Sequence, residues 1–256
     1  MPMSYVCDMD GVIYHGSRLI PGALDFVQRL QSAGHRFLFL TNNSQWTPRD
    51  LKHKLEQMGI SVEESAFHTS ALATADFLSR QMPGATAYVI GGAGLTHALY
   101  SVGFTLTENN PDYVVVGETR SYDFEKIERA ARLIHGGARF IATNPDLTAT
   151  TEQGIVPACG ALVAPIELAT GKRPYFVGKP NPLMMWTALH KLSSTPETTF
   201  MVGDRMDTDI IAGTEAGMKT ILVLSGVTSR ALIETYPYRP THIFEDVGHI
   251  PVSESG

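Results

Sequence analysis

The sequence predicts an α/β fold built on a mostly parallel sheet, with a second segment inserted in the middle of the chain. Apolar runs of strand length alternate with helical patterns almost throughout the 256 residues, as in repeated strand–helix–strand units. Residues typical of helix ends support this prediction, because Pro21 and Pro48 stand where a first helical turn accepts proline. Gly34 and Gly59 follow the last apolar position of two helical patterns and favour a left-handed ending there.

Taken in order, the predicted elements alternate strand and helix with few exceptions. They are a strand at 5–7, a helix at 22–33, a strand at 36–40, helices at 48–58 and 70–81, a strand at 88–90, a helix at 95–101, a strand at 113–116, a helix at 124–135, strands at 140–142 and 175–177, a helix at 183–192, a strand at 200–202, a helix at 208–216 and a strand at 220–224.

Two clusters of turn-forming residues divide this series. They lie at 82–85 and 170–174 and bracket a middle segment of about 90 residues, which is within the usual range of a domain. The sequence therefore predicts one domain formed by residues 1–82 and 175–256, with residues 83–174 inserted into it.

Composition limits the function classes. The chain carries 26 acidic and 20 basic side chains, a formal net charge of −6. No stretch is rich in Lys and Arg, so we expect no nucleic-acid partner, because neutralising phosphates needs a basic face. The hydrophobic share of 43% predicts a sizeable core.

Compartment signals are equally limited. The apolar runs are far shorter than the roughly 20 residues of a membrane helix, and residues 1–11 do not resemble a signal peptide. We therefore expect a cytoplasmic protein without a membrane partner. Cys7 and Cys159 lie far apart and outside any CxxC pattern, so neither a disulfide nor a zinc site is predicted.

Two carboxylates two positions apart, Asp8 and Asp10, directly follow an apolar strand and precede Gly11. In open α/β sheets the carboxyl end of a strand faces the ligand crevice. Neighbouring carboxylates repel each other, and a hard divalent cation relieves that repulsion, which favours Mg²⁺. An Asp-rich turn with Gly11 at its corner is the alternative that this motif by itself leaves open.

Further strand ends carry polar groups that suit a phosphate. Thr41 and Asn42 follow one apolar run and offer a hydroxyl and backbone N–H donors. Lys179 follows another and places an ammonium in front of Pro180, which restrains the chain. Thr41 could instead cap the turn that follows it.

A third acidic cluster follows the strand at 200–202. Asp204 stands directly after it, and Asp207 and Asp209 come next, where they could alternatively cap the following helix. The chain thus places a carboxylate pair, a hydroxyl, an ammonium and further carboxylates at successive strand ends. A nucleophile, a proton carrier, a metal and neutralising charge are the parts that phosphoryl transfer needs.

These residues resemble the four motifs of the haloacid dehalogenase (HAD) superfamily of phosphatases. Asp8 and Asp10 match the first motif, Thr41 the second, Lys179 the third, and Asp204 with Asp209 the fourth. Segments similar to the NagD-type branch of that family extend over nearly the whole chain, at 69–75, 116–122, 143–146 and 157–161. The resemblance implies a Rossmann-like parallel-sheet core and, for residues 83–174, an inserted α/β cap of the C2 type.

The resemblance also implies roles for individual residues. Asp8 would be the nucleophile that becomes an aspartyl phosphate, and Asp10 the general acid and base. Mg²⁺ would be bound by the Asp8 carboxylate, the Asp10 backbone carbonyl and Asp204.

The remaining site residues would act around these. Asp209 would orient the metal ligands or Lys179. Thr41, the Asn42 backbone and Lys179 would hold the phosphoryl oxygens. Asp207 departs from the motif, and we leave it outside the site.

Two other function classes rest on weaker patterns. Gly91, Gly92 and Gly94 follow a strand as in a dinucleotide-binding loop, but His97 stands where the third glycine belongs, so an oxidoreductase has only partial support. A phospho-accepting signalling module also combines carboxylates, Thr and Lys at strand ends, but such modules are smaller single domains. Turnover of a phosphate ester separates these classes.

The substrate is expected to be a small phosphorylated metabolite. The NagD-type resemblance implies nucleoside monophosphates such as UMP, with sugar phosphates and pyridoxal phosphate as alternatives. Within the cap, residues 143–159 are the expected specificity element, because they include a loop of small polar residues at 146–154. The sequence leaves the oligomeric state open, a homo-oligomer included.

Overall fold

The computed structural model describes residues 3–151 and 154–252. Met1 and Pro2, at the start of the N-terminal segment, and Glu152 and Gln153, within the predicted specificity loop, lie outside the described residues. Within the described ranges, no helix combines the length and the apolar character needed to cross a membrane.

The strands alternate with helices along most of the chain. The strands are β1 (Ser4–Cys7), β2 (Tyr14–His15), β3 (Arg18–Leu19), β4 (Arg36–Thr41), β5 (Phe67–Thr69), β6 (Thr86–Ile90), β7 (Thr105–Leu106), β8 (Tyr113–Val116), β9 (Arg139–Ala142), β10 (Thr148–Thr151), β11 (Gly154–Pro157), β12 (Tyr175–Phe176), β13 (Thr199–Gly203), β14 (Lys219–Val223) and β15 (His242–Phe244). The α-helices are α1 (Ala23–Ser32), α2 (Pro48–Gln57), α3 (Ser70–Gln81), α4 (Ala93–Ser101), α5 (Phe124–His135), α6 (Cys159–Thr170), α7 (Pro182–Lys191), α8 (Ile211–Glu215) and α9 (Arg230–Ile233).

The chain divides into two compact units. Unit 1 comprises the chain up to Thr41, Leu51–His68 and the chain from Lys179 onward. Its sheet has the strand order β15-β14-β13-β1-β4-β5, and β1 pairs in parallel with both β13 and β4. Because β1 is an inner strand whose four residues are all buried, its apolar residues Tyr5, Val6 and Cys7 are consecutive and do not alternate with polar ones.

The core of unit 1 packs aromatic and aliphatic side chains against this sheet. Phe26 of α1, Phe39 of β4 and Phe67 of β5 are among its largest fully buried side chains. The rings of Phe39 and Phe67 lie 5.5 Å apart, which ties the two neighbouring strands together on one face. This packing fixes the strands whose ends carry the candidate site.

Unit 2 comprises Asn42–Asp50 and Thr69–Gly178. Its sheet has the order β12-β9-β8-β6-β7, with every pair parallel. Val114, Ala130 and Ile166, from β8, α5 and α6, belong to its core. The prediction of an α/β fold with mostly parallel sheets is confirmed.

Most predicted elements match the structure closely, with α3, β8 and α5 agreeing residue for residue. The sequence missed α6, because Gly160 and Pro165 lie inside it and both residue types are unfavourable in helix interiors. The predicted helix at 208–216 begins as a π-helical turn, Met206–Ile210, and continues as α8. The predicted loop at 146–154 contains β10, which forms an antiparallel hairpin with β11.

The limits of the two units differ from the predicted boundaries at 82/83 and 174/175. Helix α3 belongs to unit 2, where it packs against α4. Strand β12 also belongs to unit 2, because Tyr175 and Phe176 pair with β9. Turn-forming residues mark the ends of elements, whereas packing decides which elements stay together. That residues 83–174 act as a cap stays a prediction.

Candidate active site

The candidate site of unit 1 lies at the carboxyl ends of three neighbouring strands. Asp8 follows β1, Asp204 follows β13, and Thr41 is the last residue of β4. The Asp8 backbone N–H donates to the Val202 carbonyl oxygen at 2.8 Å, so the ladder between β1 and β13 extends to the first carboxylate. The sheet therefore brings these strand ends together, as the sequence predicts.

Lys179 links two carboxylates within this site. Its Nζ lies 2.5 Å from Asp8 Oδ1 and 2.7 Å from Asp209 Oδ1, and its side chain is only 3% exposed. The same ammonium donates to the Leu40 carbonyl oxygen at 3.4 Å, next to Thr41 on β4. Lys179 is therefore a buried cation held between the ends of β1 and β4 and the π-helical turn that contains Asp209, and not a mobile surface charge.

Asp209 is held by the backbone at the end of β13. Its Oδ2 accepts the N–H of Asp204 at 3.2 Å and the N–H of Arg205 at 3.1 Å, while its Oδ1 accepts from Lys179. A side chain at Gly203 would collide with it, because a Cβ there would lie 2.1 Å from Asp209 Cβ. Asp209 thus orients Lys179 and the chain next to Asp204.

Asp204 has one partnered and one unpartnered oxygen. Its Oδ2 accepts the Val227 N–H at 2.8 Å. Its Oδ1 is buried and has no hydrogen-bond partner among the described residues. Gly226 allows this close approach, since a Cβ there would lie 2.0 Å from Asp204 Oδ2. A buried carboxylate oxygen without a donor is unfavourable unless a cation or water satisfies it.

Burial and mutual repulsion shift the titration of the site. Burial raises the pKa of Asp8 to about 7; Lys179 opposes that shift and Asp209 adds to it. Burial, followed by the charges of Asp209 and Asp8, raises the pKa of Asp204 well above its ordinary value. Burial also opposes the charge of Lys179, but the two carboxylates that pair with it raise its pKa above the usual range. The site contains more negative than positive charge.

The donor set fits a hard divalent cation. One carboxylate oxygen from each of Asp8, Asp204 and Asp209 lies within 4.8 Å of the others. Oxygen ligands are those that Mg²⁺ prefers, and the unpartnered Oδ1 of Asp204 is an acceptor that such a cation would satisfy. Asp8 and Asp204 are the predicted carboxylate ligands, whereas both oxygens of Asp209 already accept hydrogen bonds.

Asp10 and Asp207 stand apart from the three clustered carboxylates. The Asp10 side chain is 54% exposed, and its Oδ1 lies 3.5 Å from His15 Nδ1. Partial burial raises its pKa, and His15 and Lys54 oppose the shift. Asp207 pairs with Arg205, at 2.8 Å between Oδ2 and Nη2. That contact gives Asp207 a partner outside the cluster.

Asn42 belongs to unit 2, whereas Thr41 belongs to unit 1. Thr41 is buried at the end of β4. The backbone carbonyl oxygen of Asn42 accepts hydrogen bonds from Asn144 and Ser70. The side-chain Nδ2 of Asn42 donates to Asp146 Oδ2 at 2.9 Å. The phosphate-binding roles of Thr41 and Asn42 stay predictions.

The sequence missed the segment after β14. The Ser225 hydroxyl donates to the Gly11 carbonyl oxygen at 2.7 Å, and Val227 donates to Asp204. This segment therefore supports both acidic motifs of unit 1. Its position directly after an apolar strand, the signal that identified the other strand ends, could have revealed this segment. Ser225 and Gly226 come two and three residues after β14, which neighbours β13.

Comparison with known proteins assigns the family. A model of haloacid dehalogenase-like hydrolases matches residues 5–105, and a HAD-hydrolase-like model matches residues 176–250. Ribonucleotide monophosphatase NagD of Escherichia coli K12 is 48% identical over 247 residues, covering 96% of this chain and 97% of NagD. The chain belongs to the haloacid dehalogenase-like hydrolases. It lies in the NagD-like branch of the family.

Other relatives place this HAD hydrolase among proteins with different named substrates. Dihydroxyacetone phosphatase of Corynebacterium glutamicum is 50% identical over 248 residues, 97% of this chain and 90% of the relative. Acid sugar phosphatase of Staphylococcus aureus is 40% identical, covering 95% of each chain. The solved structure of E. coli NagD aligns with a TM-score of 0.93 over 98% of this chain and 99% of that chain, at 46% identity. These matches support the fold predicted for the family, a Rossmann-like core with an α/β cap.

Proposed function

We propose that this chain is a Mg²⁺-dependent phosphatase of small phosphomonoesters, with nucleoside 5′-monophosphates such as UMP as its substrate class. The observation that carries the proposal is the buried contact of Asp8 with Lys179, next to the unpartnered oxygen of Asp204. The chain is a phosphoric monoester hydrolase, in agreement with its family and with relatives that are named phosphatases.

The first step forms a covalent intermediate on Asp8. An Asp8 oxygen forms a bond to phosphorus while the ester P–O bond breaks, which gives an aspartyl phosphate and a leaving oxygen. Lys179 favours the ionised, nucleophilic form of Asp8, because its ammonium opposes the effect of burial on the Asp8 pKa. Thr41, the Asn42 backbone and Lys179 hold the phosphoryl oxygens.

Asp10 carries the protons of both steps. It protonates the leaving oxygen and then accepts a proton from the water that hydrolyses the aspartyl phosphate. Its raised pKa increases the protonated fraction that the first step needs, and its partial exposure gives access to water. Hydrolysis restores Asp8 and releases inorganic phosphate.

The cation would be held by the Asp8 carboxylate, the Asp10 backbone carbonyl and Asp204. When bound, Mg²⁺ supplies positive charge that neutralises the phosphoryl oxygens and the clustered carboxylates. Asp209 keeps Lys179 and the backbone next to Asp204 in place through its three hydrogen bonds. Residues 83–174 act as the cap that selects the substrate.

Dihydroxyacetone phosphate is the second candidate substrate. The relative named dihydroxyacetone phosphatase is 50% identical to this chain, and NagD is 48% identical, so sequence identity does not separate the two substrates. We place the nucleotide first because the segments at 69–75, 116–122, 143–146 and 157–161 resemble the NagD-type branch. The two ligands differ in size and in the presence of a base, so one assay distinguishes them.

The test is release of inorganic phosphate from UMP, other nucleoside monophosphates, dihydroxyacetone phosphate, sugar phosphates and pyridoxal phosphate. We expect release with Mg²⁺, none after EDTA, and the highest kcat/KM for UMP. A higher kcat/KM for dihydroxyacetone phosphate would replace the substrate class and keep the phosphatase. Stable phosphorylation of the protein without turnover would instead identify a signalling module and overturn the proposal.

The remaining expectations concern partners and location. The proposed partner is a small phosphorylated metabolite, and we expect neither nucleic acid nor a membrane to bind. A cytoplasmic location is proposed with it, and sedimentation tests whether the chain forms a homo-oligomer.

A further inference from the structure

The peptide that follows Thr41 is held by two buried side chains of unit 2. Asn144 Nδ2 donates to the Asn42 carbonyl oxygen at 2.7 Å, and Ser70 Oγ donates to the same oxygen at 2.5 Å. Both side chains have no exposed surface. One carbonyl oxygen thus receives two buried donors, which occupies both of its lone pairs.

The orientation of the Asn144 amide is set by its partners. Its Nδ2 faces the Asn42 carbonyl oxygen, and its Oδ1 accepts the Asp146 N–H at 3.1 Å. The reversed amide would place oxygen against oxygen and N–H against N–H, so only one orientation is favourable. Asn144 therefore cannot be replaced by Asp without turning one hydrogen bond into a repulsive contact.

Fixing this carbonyl also fixes the rest of its peptide. In a trans peptide the carbonyl of Asn42 and the N–H of Asn43 point in opposite directions within one plane. Two donors on the carbonyl therefore set the direction of the Asn43 N–H. The far end of the turn is held as well, because Asn43 Oδ1 accepts the Gln45 N–H at 2.9 Å.

Asn144 also belongs to a buried hydrogen-bond network with Glu118, Ser44 and Thr143 of unit 2. Glu118 Oε1 lies 3.4 Å from Asn144 Nδ2, and the Glu118 backbone N–H donates to Ser44 Oγ at 2.9 Å. Thr143 Oγ1 lies 3.2 Å from the same Ser44 hydroxyl. A buried polar network in which the members hold one another resists rotation of any single side chain.

We propose that Asn144 and Ser70 are positioning residues for phosphate binding, because they hold the Asn42–Asn43 peptide that directly follows Thr41. The proposal rests on the proposed function, which takes the Asn42 backbone as part of the phosphate site, and Asn144 and Ser70 hold that backbone at its carbonyl oxygen. Neither residue touches the substrate in this role. They act through the backbone, whose donors bind phosphate only when their direction is fixed beforehand.

The test compares three variants for binding of inorganic phosphate, measured by titration calorimetry with Mg²⁺ present. Asn144→Asp replaces the donor by an acceptor, and Ser70→Ala removes the second donor. The matched control is Thr74→Val, because the Thr74 hydroxyl is also buried in α3 but donates to the Ser70 carbonyl oxygen. Thermal melts of each variant record any loss of stability separately.

We expect the Kd for phosphate to rise about tenfold or more in Asn144→Asp and about three- to tenfold in Ser70→Ala. The Kd of Thr74→Val should stay within about twofold of the parent value, even if its Tm falls because a buried hydrogen bond is lost. The value of kcat/KM for 4-nitrophenyl phosphate should fall most in Asn144→Asp, less in Ser70→Ala and least in Thr74→Val. If Asn144→Asp does not fold, Ser70→Ala against Thr74→Val decides the question.

The readouts separate this proposal from the proposed function. Unchanged phosphate affinity in Ser70→Ala and Asn144→Asp, with normal turnover by the parent protein, would overturn the positioning role alone. A parent protein that binds phosphate without hydrolysing any ester would overturn the function, while weaker binding in the variants would still support the positioning role. A parent protein that neither binds nor hydrolyses would overturn both.

Discussion

At the scale of single residues, the site combines carboxylates that repel one another with one ammonium that holds two of them. Asp8 and Asp209 share Lys179, whereas Asp204 Oδ1 has no partner among the described residues. Removing a buried charge from such a cluster leaves its partners uncompensated, so substitutions that keep the shape of a side chain are the informative ones.

Asp8→Asn should abolish turnover and keep the fold. The amide has the shape of the carboxylate but is a poor nucleophile, so we expect kcat to fall by about 10³-fold or more. Phosphate release with Mg²⁺, together with a thermal melt, measures both effects. Asp207→Asn is the matched control, because Asp207 pairs with Arg205 and should leave kcat nearly unchanged. Near-normal activity of Asp8→Asn would refute the role of Asp8.

His68 should make the protein sensitive to acid. It is fully buried, neither ring nitrogen has a hydrogen-bond partner within the described part of the chain, and burial, with a smaller contribution from Lys191, lowers its pKa to about 3. Between this value and the unfolded pKa of about 6.5 the unfolded chain binds more protons, so stability falls as the pH drops through that window.

The test is His68→Leu, which fills the space with an apolar side chain. From about pH 8 to about pH 5 the parent protein should lose about 2 kcal/mol more free energy of unfolding than the variant. Urea unfolding at the two pH values measures this difference. Equal losses in both proteins would show that His68 does not contribute to the acid sensitivity.

At the scale of elements, end signals and apolar spacing determine where helices lie. Helix α3 begins after Thr69, whose Oγ1 accepts the Leu72 N–H at 3.2 Å. Helix α6 contains Gly160 for a packing reason. A Cβ at this position would lie 2.4 Å from the Pro145 carbonyl oxygen, so only glycine fits there. Local preference predicts the first helix, and packing explains the second.

Thr69→Val should destabilise the protein through the start of α3. Valine keeps the shape of threonine but removes the capping oxygen, so we expect a loss of about 1 kcal/mol in the free energy of unfolding. Thr69→Ser keeps the oxygen and should change stability by only a few tenths of a kcal/mol. Urea unfolding of both variants measures the contrast, and equal stabilities would contradict the capping role.

At the scale of the whole molecule, the buried negative charge links folding to cation binding. A ligand that binds only the folded state stabilises it by about 2.7 kcal/mol at a hundred times its Kd. Mg²⁺ should therefore raise the Tm of the parent protein, and EDTA should reverse the rise. Asp204→Asn should lose most of this response, and Asp207→Asn should keep it. A Tm that does not respond to Mg²⁺ would contradict the metal site.

The alternation of strands and helices and the residue types at the strand ends can be read directly from the order of the amino acids. Apolar periodicity and helix ends are local properties, so α3, β8 and α5 could be predicted from a few neighbouring residues. The carboxyl ends of adjacent parallel strands meet at one edge, so Asp8 and Asp204 could be grouped before any distance was known.

The hydrogen-bond and ion-pair partners of these residues, in contrast, depend on how the chain packs in three dimensions. Residues far apart in the chain are joined by the contacts of Lys179 with Asp8 and Asp209, and by the two donors on the Asn42 carbonyl oxygen. Packing likewise leaves Asp204 Oδ1 buried without a partner among the described residues. Packing also placed α3 and β12 in unit 2, against the predicted boundaries. Such contacts depend on which surfaces are buried together, and no local pattern encodes that.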